Sequence, residues 1–115
     1  LTAISEEPAT FGLELFNLTE EASEKLAVQL LVPASMKVMT LDRAADYDAK
    51  KNLLIWQIDP LRPNERVVLR LKAMPGKPGT ETLKAQVNNA KKVMVQERMS
   101  VQVAEAVDDI LLLDR

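Results

Sequence analysis

The residues with the widest chemical reach are a cluster of oxygen donors: Asp42, Asp46, Asp48 and Asn52. Carboxylates and amides at such close spacing are what a hard cation such as calcium takes. No glycine supplies the sharp turn of a calcium loop, however, and Lys50 and Lys51 follow at once. The expectation for this stretch is a solvated, charged loop without a metal. Nucleophilic and acid–base chemistry is equally poorly served. The chain has no cysteine and no histidine. Thiolates, disulfides, the commonest general base and the commonest transition-metal ligand are therefore absent. Seventeen acidic residues leave paired-carboxylate hydrolysis formally open, but nothing marks two of them as a pair. No glycine-rich phosphate loop or serine elbow occurs. We expect no catalytic residue, no metal site, no cofactor and no enzymatic activity.

Other groups of residues have plain structural readings. Glu20, Glu21 and Glu24 make an acidic turn, and Lys50–Lys51 and Lys91–Lys92 make small basic spots. Short charge runs of this kind solvate loops and discourage edge-to-edge pairing of strands. Asn17-Leu18-Thr19 fits a glycosylation sequon. Its expected role is a strand-end turn in which the Asn17 side chain bonds neighbouring backbone. Trp56, the only tryptophan, is either a binding platform or a packing residue. Packing is the expectation, because a buried aromatic dominates its surroundings energetically.

These residues must be held by one domain. At 115 residues the chain is long enough for a core without staples. Apolar residues make up 47% and charged residues 28%, and the formal net charge is −2. The balance suits a folded chain and gives no basic face for nucleic acid. No apolar run is long enough to cross a bilayer, so we expect no direct membrane insertion of this segment. The first residue is Leu1, which suggests a piece of a longer polypeptide or a mature form.

The dominant pattern is strict alternation. Leu26, Val28, Leu30 and Val32 alternate with other residues, as do Val67, Leu69, Leu71 and Ala73, and Met99, Val101 and Val103. A period of two puts one apolar set on a single face of a strand. Turn chemistry falls between the runs: Pro33-Ala34-Ser35, the two prolines of 60–65, and the prolines and glycines of 75–79. The pattern predicts strands near 10–17, 25–32, 36–41, 52–58, 66–74, 80–87 and 92–103, with a possible edge strand in 1–5. About seven short strands imply an all-β chain, an immunoglobulin-like antiparallel β-sandwich. We place this domain at 1–103 and read 104–115 as a tail or linker to a following domain. Phe16, Leu31, Val68 and Met94 fall on the nominal outer faces. They are expected to lie beneath loops, with a docking strip for an adjacent module as the alternative.

From Trp56 onward the chain resembles the conserved repeat of bacterial and archaeal surface proteins known as domain of unknown function 11. The matching positions are Trp56, Ile58, Leu61, Pro63, Glu65, Leu69, Leu71 and Ala73. Upstream, Leu15, Asn17 and Thr19 are similar to a strand end of that repeat, and Val28 to Pro33 to its strand closing on proline. Downstream, Gly79 to Val87 and Gln96 to Val101 look like its later strands. Asn64 stands where that repeat usually has glycine, and asparagine also tolerates positive φ. The resemblance implies a non-catalytic spacer or adhesion-type module of a larger cell-surface, envelope or secreted protein. Its implied partners are neighbouring domains of the same polypeptide or other surface proteins. Two alternatives remain open: a ligand-binding accessory sandwich for carbohydrate or protein, and an ear-type appendage of an assembly complex.

Overall fold

The computed structural model describes residues 1–41 and 43–105. They form nine strands: β1 (Thr2–Ile4), β2 (Ala9–Phe16), β3 (Leu26–Leu31), β4 (Lys37–Leu41), β5 (Asp46–Asp48), β6 (Leu53–Ile58), β7 (Arg66–Met74), β8 (Gly79–Asn88) and β9 (Val93–Ala104). One sheet has the order β1-β9-β8-β3-β6-β5 and the other β2-β7-β4. The chain passes between the sheets after β1, β2, β3, β4, β6 and β7. The two sheets face each other across one apolar core, so the molecule is an immunoglobulin-like β-sandwich.

The count exceeds the expected seven. The edge strand anticipated in 1–5 is present as β1, which pairs with β9 in parallel, the one departure from antiparallel pairing among the described strands. The second addition is β5, inside the stretch expected to be loop. Asp46, Tyr47 and Asp48 lie opposite Ile55, Leu54 and Leu53. Alternation could not mark β5, because all three of its residues are exposed and an edge strand has no buried face to enforce the pattern. At the other end, Ala104 closes β9 opposite Ile4. Most of the proposed tail, 106–115, lies outside the described residues.

Alternation elsewhere becomes a core in the expected way. Leu26, Val28 and Leu30 of β3 point inward and are fully buried or nearly so. They lie opposite Ile58, Trp56 and Leu54 of β6, which are buried to the same degree. The facing sheet contributes Phe11 from β2 and Leu69, Leu71 and Ala73 from β7. Leu83, Val101 and Val103 extend the floor under β8 and β9. Each large aliphatic side chain so buried contributes about 1.5–3 kcal/mol.

Three surface segments meet at one end of the sandwich. Ser5 Oγ donates to the carbonyl oxygen of Gly76, and the Glu6 amide donates to the Pro75 oxygen at 2.8 Å. A Cβ at position 76 would stand 2.9 Å from the Ser35 carbonyl oxygen, closer than side chains tolerate. Gly76→Ala should therefore push these segments apart and cost about 1–3 kcal/mol in urea unfolding. A neutral result would mean that the 33–36 turn yields without resistance.

Candidate interaction surfaces

The polar residues singled out by their types are tied into the scaffold. Asn17 is 8% exposed. Its Oδ1 accepts from the Thr19 amide at 3.0 Å and from the Thr19 hydroxyl at 2.7 Å. This is the strand-end turn expected from Asn17-Leu18-Thr19. Its Nδ2 also donates to the Leu61 and Glu21 oxygens, both at 2.9 Å. Ser23 completes the seam, because its amide donates to Leu61 O and its Oγ accepts from Leu61 N, each at 2.8 Å. The turn after Trp56 is thereby stitched to the acidic turn after β2. Asn64 has φ 63°, as its place in that turn anticipated. The reach from Asn17 across 44 residues to Leu61 left no local mark in the sequence.

The oxygen donors of 42–52 divide in the same way. Asp42 lies outside the described residues. Asp48 Oδ1 accepts from the Lys50 and Lys51 amides at 3.0 and 3.3 Å, closing the turn between β5 and β6. Asn52 is buried, with φ 55°. Its Nδ2 donates to the oxygens of Val32, Pro33 and Met36 at 3.2, 2.9 and 3.0 Å. Its Oδ1 accepts from the Tyr47 hydroxyl. Asn52 thus joins two turns.

Trp56 is wholly buried, and its indole Nε1 donates to the Arg43 carbonyl at 3.3 Å. It packs rather than presents a surface. Tyr47 and Phe16 are the aromatics left exposed.

Two surfaces remain available for contact. The first contains apolar side chains expected beneath loops, three of which no loop buries. Phe16, Leu31 and Met94 are 44%, 40% and 50% exposed, and only Val68 is half-buried. Every residue of β9 from Val93 to Arg98 is exposed. A groove of about 440 Å³ runs between the end of β2 and the β8–β9 hairpin. Phe16, Leu18, Leu26, Val87, Met94 and Val95 line it. β1 pairs only with Gln102, Val103 and Ala104. The outer backbone edge of β9 from Val93 to Val101 therefore has no strand partner among the described residues.

The second surface is the outer face of the six-stranded sheet. Register places Arg98, Lys84, Leu31, Leu53 and Asp48 in one row across β9, β8, β3, β6 and β5. The adjacent row reads Gln96, Gln86, Gln29, Ile55 and Asp46. Gln96 Nε2 donates to Gln86 Oε1 at 3.0 Å, and Gln86 Nε2 to Asn88 Oδ1 at 2.9 Å. Arg98, Lys84, Leu31 and Leu53 of the first row and the three glutamines of the second line a shallow depression.

No family model matches the chain, and no curated protein matches it. Among solved structures it is similar to the ASH/PapD-like domain of human CEP192, PapD-like domain 7. The two share 16% identity over 93% of this chain and 80% of that one, with a TM-score of 0.46.

Proposed function

We propose that the chain is a non-catalytic structural and interaction module that accepts an extended segment of a neighbouring domain along β9. The observation that carries this reading is the open β9 edge from Val93 to Val101 beside the groove of Phe16, Leu18 and Met94. Alternate residues of an unpaired strand direct N–H and C=O groups outward, and these bind an added strand without regard to its sequence. The apolar groove beside the edge supplies the selectivity that backbone bonding lacks. The non-catalytic part of the reading is supported by the clustered polar groups, Asn17 and Asn52 above all, whose hydrogen bonds hold turns together. The resemblance of Trp56 to Ala73 to the surface-protein repeat supports a place in a larger cell-surface or secreted polypeptide, with adjacent domains as partners.

A double substitution tests this. Phe16→Asp with Met94→Asp puts two carboxylates on the groove while replacing only exposed residues. The melting temperature should hold within a few degrees. Affinity for the neighbouring domain of the native polypeptide, read by calorimetry, should fall by about 2 kcal/mol or more. Unchanged affinity would remove the groove from the interface.

A further inference from the structure

The outer face of the six-stranded sheet carries opposite charges at its two ends. In its first row Arg98 of β9 and Lys84 of β8 stand directly opposite each other, and like charges in that relation repel. Neither has a carboxylate partner among the described residues. Leu31, 40% exposed, and the half-buried Leu53 follow on β3 and β6. Asp48 closes the row on β5, with Asp46 beside it in the second row. Strands lie about 4.8 Å apart, which puts Asp48 roughly 14 Å from Lys84 and roughly 19 Å from Arg98. The two ends therefore cannot neutralise each other within one molecule.

A row that runs cationic, apolar, acidic is its own complement when turned end for end. The five strands that carry it have β3 at their centre. A two-fold axis lying over β3 and parallel to it exchanges β9 with β5 and β8 with β6, and leaves each row facing itself. We infer that this face is the contact between two copies of the chain, packed sheet to sheet about such an axis. Arg98 then stands over the partner's Asp48, Gln96 over the partner's Asp46, and Leu31 over the partner's Leu31. Lys84 comes to lie over the partner's Leu53, one strand from the partner's Asp48. The contact is isologous, so both charged ends are satisfied at once.

The chemistry of the side chains permits it. Packed sheets lie about 10 Å apart, a gap that an arginine and an aspartate reaching from opposite sides can span. Asp48 Oδ1 accepts from the Lys50 and Lys51 amides, which steadies the carboxylate and leaves Oδ2 for a guanidinium. Pairing relieves the Arg98–Lys84 repulsion and covers Leu31. Two rows five strands wide make an interface smaller than the standard ~1,600 Å², so the dimer should be a weak one. Side chains of the outer face make this contact and the backbone edge of β9 does not, so it stands or falls separately from the proposed function.

Sedimentation equilibrium of the full 115-residue chain should show a monomer and a dimer, half-dissociated on the order of 100 µM. Lys84→Glu/Arg98→Glu makes the row acidic at both ends. Asp46→Lys/Asp48→Asn makes the face basic at both ends, and asparagine keeps an acceptor for the turn amides. Each variant alone should associate at least about tenfold more weakly. An equimolar mixture of the two should recover most of the wild-type affinity, a rescue that a fault in folding would not give. Phe16→Asp/Met94→Asp, on the other surface, should leave the dimer intact. Loss of the dimer in that variant would move the contact to the β9 groove and overturn the inference. So would a mixture that stays monomeric, or charge variants that associate as well as the wild type. A wild-type chain still monomeric at about 1 mM would overturn it as well.

Discussion

Trp56→Ala should be the most damaging single change in this molecule, costing about 3–5 kcal/mol. The indole is fully buried between Val28 on one side strand and the facing sheet. Its removal empties space in the buried cluster that it shares with Leu69 and Leu71 of the facing sheet. It also leaves the Arg43 carbonyl without the indole N–H. A typical domain holds about 5–15 kcal/mol in total, so the variant should show a large loss of urea midpoint or fail to accumulate as folded protein. Trp56→Phe keeps most of the ring and loses the donor, and should retain most of the stability. If alanine cost as little as phenylalanine, the indole would not be the centre of the core.

The second large effect belongs to Asn52. Its amide serves the carbonyls of Val32, Pro33 and Met36, and its backbone sits at φ 55°. Asn52→Ala removes the donor and puts a Cβ without compensating bonds in the left-handed region. Leaving buried carbonyls unpaired costs about 1–3 kcal/mol, and the backbone strain adds about 1 kcal/mol. Asn52→Gly loses the same donor but not the backbone freedom, so it should be less damaging than alanine by about 1 kcal/mol. Asn52→Asp should be the worst of the three, because a carboxylate would face three carbonyl oxygens. Urea unfolding of the three variants gives the order directly. A glycine variant no more stable than alanine would remove the backbone part of the argument.

The sequence made much of this fold legible because buried strands announce themselves. Leu26 to Val32 and Val67 to Ala73 each have one face in the core, so the period of two is enforced residue by residue. Where burial stops, so does the signal. β5 is exposed throughout, and nothing in Asp46-Tyr47-Asp48 distinguishes an edge strand from a charged loop. The Asn52 latch escaped for another reason. Its partners Val32 and Met36 are backbone carbonyls sixteen to twenty residues away, and a backbone carbonyl carries no residue identity. The residue type Asn at 52 was visible, but as an oxygen donor for a cation rather than an amide donor to the chain. Phe16, Leu31 and Met94 are exposed where the sequence predicts burial beneath loops. Whether a loop covers a sheet face depends on where the β8–β9 hairpin projects, which no local pattern encodes.

The proposed function makes β9 an unfinished edge. Amide hydrogen exchange of Val93 to Val101 tests that most directly, measured on the isolated chain and on the same chain within its native assembly. The outward-facing amides of this stretch should exchange rapidly in the isolated chain, while those bonded to β8 are protected. In the assembly, the outward amides should become protected as an added strand takes them up. Equally rapid exchange in both states, in an assembly that still holds the chain, would contradict docking along β9.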